Sequence, residues 1–127
     1  MRKVTGIGGV FFKADNPENL YQWYEKHLGI AREHGYVAFP WREDKNPEEE
    51  GMTTWSIFSK QSNYFAPSVS SVMINYRVED LDGLLEALQA DGVTVVKRED
   101  SDYGNFAWIM DPEGNKIELW EPPKKGS

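Results

Sequence analysis

Residues 9–14, GVFFKA, recur 64 residues later as residues 73–78, MINYRV, and this repeat decides the fold. Each copy predicts a strand with a cation at its fifth place, followed by an acidic or Asx segment and a helix. The glycines that end the two helices, Gly29 and Gly92, repeat at an offset of 63. The chain is therefore predicted to consist of two similar halves, although two unrelated amphipathic strand–helix units would give such a pattern by chance.

Each half contains a well-marked helix. Asn16 and Asp80 are suited to cap the two helices, and Pro17 suits the first helical position. The second helix carries one apolar stripe, formed by Leu81, Leu84, Leu85 and Leu88. The stripe expected on the first helix consists of Leu20, Trp23, Tyr24, His27 and Leu28. Because each helix is apolar on one face only, both are predicted to pack on a sheet.

Alternation along the predicted strands divides their side chains between two faces. In the strand at 72–78, the even-numbered side chains are expected to pack against the second helix. Met73, Asn75 and Arg77 are expected on the opposite face. By the repeat, that face also carries Gly9, Phe11 and Lys13, and the last strand adds Lys116, Glu118 and Trp120. Further strands are predicted at 31–39, 53–59, 93–97 and 106–110, with a turn at 111–115 and loops at 42–51 and 61–70.

The face opposite the helices combines apolar with polar side chains, as ligand pockets do. A surface that packs against another subunit would use the same aromatic residues, so that alternative stays open. Phe11, Trp55 and Trp120 would form an aromatic wall beside Met73, while Asn75 would orient a carbonyl or hydroxyl group and Arg77 would hold an anionic group. Tyr64, Phe65, Phe106 and Tyr103 lie beside loops that could close the pocket, and the Tyr103 hydroxyl is a candidate acid.

Composition excludes several classes of protein. The 127 residues are one domain's length, and the 14 basic and 21 acidic residues give a net charge of −7, which disfavours a nucleic-acid partner. The chain has no cysteine, so disulfides, thiolate nucleophiles and Cys-type zinc sites are excluded. No apolar run reaches membrane-spanning length, and the basic start is followed by a stretch broken by glycines. A cytoplasmic protein without a membrane partner is predicted.

Four segments, in order along the chain, resemble the vicinal oxygen chelate superfamily, which includes glyoxalase I, extradiol dioxygenases and bleomycin-resistance proteins. They are residues 6–12 (GIGGVFF), 23–29 (WYEKHLG), 78–82 (VEDLD) and 111–122 (DPEGNKIELWEP). The resemblance implies an α+β fold of two tandem βαβββ modules that form a cupped mixed sheet, usually completed in a homodimer. It places module one at about 1–60 and module two at about 71–122 of a single domain, with 123–127 as a frayed tail.

In metal-using members of the superfamily, the first and last strands of each module supply His, Glu or Gln ligands to a divalent ion. The resemblance places these positions at Gly9, Met73, Glu118 and Trp55, and a slip of one residue would replace Trp55 by Ser56. Only Glu118 is a suitable ligand, because glycine has no side chain and a thioether does not suit an oxygen-rich site. His27 and His34, the only histidines, do not complete the set. No cofactor is therefore predicted, and a divalent metal is kept as the alternative.

Two functions remain. The first is a metal-independent protein of the bleomycin-resistance type, which binds and sequesters a small organic ligand. The second is a lyase, isomerase or dioxygenase of the glyoxalase-like kind, with or without a divalent metal, in which Glu118 is the catalytic group. Apolar neighbours would raise the pKa of Glu118 and suit it to acid–base chemistry, whereas a nearby Arg77 or Lys116 would make it a plain ion pair. An interaction module that binds no small ligand is a further alternative.

Overall fold

The computed structural model describes residues 3–33 and 35–124. Along the chain, its helices and strands are β1 (Val4–Ala14), α1 (Pro17–Leu28), β2 (Val37–Arg42), β3 (Glu50–Ser59), β4 (Val72–Val78), α2 (Leu81–Ala90), β5 (Val95–Ser101), β6 (Gly104–Met110) and β7 (Lys116–Glu121). His34 and residues 125–127 of the predicted tail lie outside the described residues. Neither described helix is long and apolar enough to cross a membrane.

All seven strands belong to one mixed sheet in the order β2-β3-β1-β4-β7-β6-β5. At its centre, β1 and β4 pair antiparallel, while each is parallel on its other side to the last strand of its own half, β3 or β7. The remaining neighbours are antiparallel. The two halves therefore repeat one arrangement, and the α+β class with a mixed sheet is confirmed.

The first half differs from the second by one strand. The sequence predicts a strand at 31–39, but this region contains only an isolated bridge between Glu33 and Tyr36 before β2 begins at Val37. Gly35 within that bridge has a φ of 91°, a left-handed conformation that interrupts an extended strand. The second half has the complete βαβββ order. The boundaries of the two modules stay a prediction.

The predicted helix ends are present. The Asn16 side chain accepts a hydrogen bond from the amide of Asn19, Asp80 accepts one from the amide of Gly83, and Gly29 ends α1 with a φ of 71°. The leucine stripe of α2 also packs as expected. Its residues join Val78, Ala107, Ile109 and Leu119 in the core on the helix side of the sheet.

The buried stripe of α1 is rotated from the predicted one. Trp23 and Leu28 are half exposed or more, His27 is exposed, and Tyr21 is buried instead. The reason is a specific anchor: the Tyr21 hydroxyl accepts a hydrogen bond from the backbone amide of Ile57 at 2.8 Å. The spacing of apolar residues along a helix cannot predict a hydrogen bond of this kind between the helix and a strand.

The face of the sheet opposite the helices, called the inner face below, has a core of its own. Phe11, Met73 and Trp108 lie on it with Phe65, and Phe58 and Phe106 pack against them. Phe65 belongs to the segment between the two halves and is 0 % exposed. The joining segment therefore folds onto the inner face and fills part of it, a burial of aromatic area that contributes strongly to stability.

Candidate functional site

Glu118 is a carboxylate buried on the inner face, 2 % exposed. Its Oε1 accepts hydrogen bonds from the Tyr64 hydroxyl and from Nε1 of Trp108, the latter at 2.9 Å. Its Oε2 accepts one from Nδ2 of Asn75 at 2.6 Å. Three neutral groups therefore donate hydrogen bonds to this carboxylate, and both of its oxygens have partners. This arrangement, called the Glu118 cluster below, is a satisfied polar core on an otherwise aromatic face.

The Glu118 cluster also changes the acidity of its neighbours. Burial of Tyr64 and the adjacent negative charge of Glu118 raise the pKa of its phenol well above the ordinary 10.0. Lys116 lies over the rings of Tyr64 and Trp108 and donates to the Tyr64 carbonyl at 2.8 Å. Burial lowers the pKa of this ammonium, while the charge of Glu118 opposes that shift. Tyr64 is therefore a neutral donor, and it cannot act as a phenolate base near neutral pH.

Asn75 leaves one polar atom unpaired. Its Nδ2 donates to Glu118, but its Oδ1 is buried without a hydrogen-bond partner. This oxygen lies against Gly8, where any β-carbon would clash with it, so the backbone of β1 approaches Asn75 only because residue 8 is glycine. An unpaired buried acceptor lowers stability by about 1–3 kcal/mol. Asn75 therefore acts as a support for the carboxylate and not as a free ligand-orienting amide.

A pocket of about 640 Å³ opens beside the Glu118 cluster. Its aromatic walls are Trp41 and Trp120, and its charged groups are Arg42, Glu49, Glu50 and Arg77. Gly51 leaves the space that the Trp41 ring fills, since a β-carbon there would clash with the ring. Glu118 is not among the lining residues. The volume is within the range of small-molecule sites, and the pocket joins two aromatic walls to a few polar groups.

Arg77 connects this pocket to the loop between β2 and β3. The guanidinium is largely buried and pairs with Glu43 at 3.7 Å and with Glu49 at 3.5 Å, while its Nη1 donates to the Thr5 hydroxyl at 3.1 Å. It also lies 5.6 Å from the centre of the Trp41 ring. The predicted anion-holding residue therefore lines the pocket, with carboxylates of the chain itself against it.

The other predicted site residues have different positions. Trp120 lines the pocket, stacks on Phe106 and donates from Nε1 to the Tyr103 carbonyl at 2.9 Å. Phe11 and Met73 lie on the inner face as expected, but they are buried in its apolar core and do not line the pocket. They support the site by packing and do not form its wall.

Two predicted site residues do not line the pocket. Trp55 packs against Phe12, Tyr21 and Tyr24, so it lies under α1 and not on the inner face. Ser56 pairs with Phe11 as Glu118 pairs with Asn75, which makes Ser56 the counterpart of Glu118. Tyr103 lies in the turn between β5 and β6, is 80 % exposed and does not line the pocket.

The metal site that the resemblance implies does not fit these residues. The three groups around Glu118 use N–H or O–H bonds toward it, and amide and indole nitrogens have no lone pair to offer an ion. The equivalent position, Ser56, is a hydroxyl, and Met73 is a thioether. Within residues 3–33 and 35–124, no cluster of three His, Asp or Glu side chains could hold a metal. We derive no step through a metal ion.

Sequence reasoning missed Trp108 and Trp41 as site residues, and it placed Tyr64 beside a closing loop without indicating its contact with Glu118. The sequence does contain a signal for Trp108. Trp108 and Glu118 lie at equal distances on either side of Glu113, in the predicted turn. A hairpin centred on that turn therefore pairs Trp108 with Glu118. For Tyr64, the partner is 54 residues away, and no local pattern indicates such a contact. For Trp41, the decisive neighbour is Gly51 on the paired strand β3, and nothing in the local sequence shows that these two residues meet.

Comparison with known proteins agrees with this geometry. The family model of the glyoxalase-like domain matches residues 9–120. Among solved structures, methylmalonyl-CoA epimerase from Mycobacterium tuberculosis is 21% identical over 98% of this chain and 93% of that chain, with a TM-score of 0.65. A variant of Streptomyces coelicolor methylmalonyl-CoA epimerase in complex with 2-nitronate-propionyl-CoA is 14% identical over 95% and 99%, with a TM-score of 0.68.

A glyoxalase/bleomycin resistance protein/dioxygenase superfamily member from Vibrio splendidus 12B01 is also similar, at 13% identity over 91% of this chain and 97% of that chain, with a TM-score of 0.59. A search of the curated proteins gives no significant match. The structural likenesses, all of low identity, show the fold alone. The family match covers most of the chain, and the chain therefore belongs to the glyoxalase-like domain family.

Proposed function

We propose that this glyoxalase-like protein binds a small aromatic organic molecule without a metal ion and sequesters it, in the manner of bleomycin-resistance proteins. The observation that carries the proposal is the separation of the pocket from the buried carboxylate. Trp41 and Trp120 wall a cavity of about 640 Å³, whereas Glu118 is enclosed by its three donors and does not line that cavity. The pocket can hold a flat ligand, and the buried Glu118 carboxylate is not exposed at its surface.

The two tryptophans carry the binding. Indole rings offer a large apolar surface with few rotatable bonds, so stacking a ligand between them costs little conformational entropy. Trp120 is held in place by its stacking on Phe106 and by the hydrogen bond to Tyr103. Trp41 is held by its Nε1, which donates to the Thr53 hydroxyl at 2.9 Å. Both walls are therefore pre-organised.

The test uses a neutral aromatic probe, naphthalene-2-carboxamide, titrated into the protein by calorimetry. We expect one site per chain and at least a tenfold loss of affinity in Trp41→Ala, about 1.4 kcal/mol or more. The matched control is Trp23→Ala, since Trp23 is exposed on α1, away from the pocket. Equal weakening by both variants, or no weakening in Trp41→Ala, would contradict the proposal.

A second candidate function is metal-free acid–base catalysis by Glu118, as in an isomerase or lyase. The observation that favours it is the burial of Glu118 beside the Tyr64 hydroxyl, since carboxylates and phenols are groups that enzymes use for acid–base chemistry. Catalysis would require Tyr64 to leave Glu118, because the phenol covers Oε1. Turnover of a bound ligand that is lost in Glu118→Gln, with binding retained, would favour this function over sequestration.

We also propose that the protein is a homodimer, as its resemblance to the superfamily suggests, and that it is cytoplasmic, with which its lack of cysteine is compatible. The proposal for the dimer is tested by sedimentation equilibrium of the full chain, whose monomer mass is 14.6 kDa.

A further inference from the structure

Arg77 has two carboxylate partners that differ in their surroundings. The Glu43 side chain is as buried as the guanidinium itself, and it does not line the pocket. Glu49 lines the pocket, and its side chain is 46 % exposed. One buried carboxylate, that of Glu43, is enough to neutralise the buried guanidinium of Arg77. The second carboxylate, that of Glu49, is therefore not required for this neutralisation. Glu49 is the partner that a bound molecule can replace.

The geometry of the outer pair is loose. Glu49 approaches Nη2 of Arg77 at 3.5 Å, which is longer than the roughly 2.8 Å of a charge-assisted hydrogen bond. A half-exposed ion pair of this length contributes little to stability. A free carboxylate can take the bidentate geometry that guanidinium groups favour, and it would meet a cation already desolvated by the fold.

The aromatic walls lie where the rest of such a ligand would be. Arg77 is 5.6 Å from the Trp41 ring, it pairs with Trp120 in the register of β4 and β7, and all three residues line the same cavity. A molecule that stacks on the indoles therefore places a ring substituent at the guanidinium. The strand position of Arg77 is rigid, whereas Glu49 belongs to the end of a loop.

We propose that the pocket selects an aromatic ligand that bears a carboxylate, with Arg77 as the anion receptor and Glu49 as the internal group that the ligand's carboxylate displaces. This assignment rests on the proposed binding function and names its ligand class. Without a ligand, the carboxylate of Glu49 occupies the position at Arg77 that the ligand's carboxylate would take. The Glu49 side chain is 46 % exposed, so its carboxylate can be solvated when the ligand's carboxylate takes its place at Arg77.

The experiment compares three probes with the same ring system: naphthalene-2-carboxylate, naphthalene-2-carboxamide and 2-naphthylmethylammonium. By calorimetry at low salt, we expect the wild-type protein to bind the carboxylate at least tenfold more tightly than the amide. Arg77→Gln should abolish that preference. Glu49→Gln should tighten carboxylate binding several-fold relative to amide binding, so the preference for the carboxylate grows, and this variant keeps the proposal testable if Arg77→Gln does not fold.

The matched control is Arg98→Gln. Arg98 also pairs with two carboxylates, Asp82 and Asp100, but it lies on β5 and does not line the pocket. The Arg98→Gln variant should still bind naphthalene-2-carboxylate more tightly than naphthalene-2-carboxamide. Equal binding of carboxylate and amide, or tighter binding of the ammonium probe, overturns the assignment of Arg77 and leaves the binding function standing. Failure of all three probes to bind counts against the binding function and against this inference with it.

Discussion

Asn75 and Glu118 face each other across the parallel strands β4 and β7, joined by a hydrogen bond of 2.6 Å from Nδ2 to Oε2. A second pair of the same composition, Asn105 and Glu121, joins β6 and β7 at 2.7 Å. The first pair is buried and the second only partly so. The chain thus contains the same Asn–Glu hydrogen bond in a buried and in a partly buried position. Comparing the two pairs shows how burial changes the contribution of this bond to stability.

The substitution Asn75→Asp places a second carboxylate against Glu118. Two buried carboxylates at this distance cannot both be charged, so the folded pair retains a proton and one pKa is raised above its unfolded value. The folded state then binds more protons than the unfolded state, and stability falls as pH rises above about 4. Urea denaturation should show a larger loss of unfolding free energy at pH 8 than at pH 5. Asn105→Asp should show a smaller pH dependence, and equal dependence in both variants would contradict the role of burial.

Trp108→Phe removes one donor from Glu118 and keeps an aromatic ring. Hydrogen bonds to buried charged groups are stronger than neutral ones, so we expect the unfolding free energy to fall by about 2 kcal/mol. Trp120→Phe is the control, because its indole donates to a neutral carbonyl near the surface and should cost about 1 kcal/mol or less. Guanidinium denaturation measures both. The account of the cluster fails if the two variants lose the same amount.

The raised pKa of the Tyr64 phenol predicts a loss of stability in alkali. In the unfolded chain this phenol ionises near pH 10.0, while in the folded protein it stays protonated. The unfolded state therefore releases a proton first, and the unfolding free energy falls as pH rises above about 10. Tyr64→Phe should flatten this decline, whereas Tyr103→Phe, at an exposed turn, should not. A decline of the same steepness in wild type and Tyr64→Phe would show that another group is responsible.

Phe65→Ala should create a cavity under the segment that joins the two halves. Phe65 is fully buried among Phe11, Met73 and Trp108, and truncation of such a side chain costs about 3–5 kcal/mol of unfolding free energy. Val69→Ala, in the same segment but fully exposed, should change it by less than about 0.5 kcal/mol. Thermal and chemical denaturation measure the difference. A small effect of Phe65→Ala would mean that the segment does not depend on this anchor.

Divalent metal ions should leave the protein unchanged. Because the groups around Glu118 are donors, addition of Zn²⁺, Mn²⁺ or Ni²⁺ to protein treated with EDTA should not raise its melting temperature. Elemental analysis of protein purified without chelator should find less than a stoichiometric amount of these metals. A stoichiometric ion whose removal lowers the melting temperature, and whose binding is lost in Glu118→Ala, would refute metal independence.

Much of the fold follows from local chemistry in the sequence. The caps at Asn16 and Asp80, the leucine stripe of α2 and the alternation in β4 depend on neighbouring residues, so they could be predicted and are confirmed. The error in the predicted face of Trp55 arises because a shift of one residue in strand register moves a side chain to the other face of the sheet. The offset of 63 assigned Trp55 to the inner face, but the strand register makes Ser56 the counterpart of Glu118, and side chains on adjacent positions point to opposite faces.

The candidate site was harder to predict because its contacts are long-range. Glu118, Asn75, Arg77 and Trp120 could be assigned to one face from alternation alone. That Tyr64 covers the carboxylate, and that Glu49 pairs with Arg77, depends on how two loops fold back on the sheet. Loop conformations are set by tertiary packing, for which the sequence has no periodic signal.

The repeat places Lys13 where the second half has Arg77, and because β1 and β4 run antiparallel, these cations lie at opposite ends of the β1–β4 strand pair. Each lies at a recess, about 450 Å³ at Lys13 and about 640 Å³ at Arg77. The recess at Lys13 is lined by serines and has no indole. The two cations at equivalent positions of the repeat therefore lie in different surroundings, and only Arg77 has indole rings beside it. If the indoles determine where an aromatic ligand binds, calorimetry should find one bound molecule per chain, because the smaller recess at Lys13 offers no such wall.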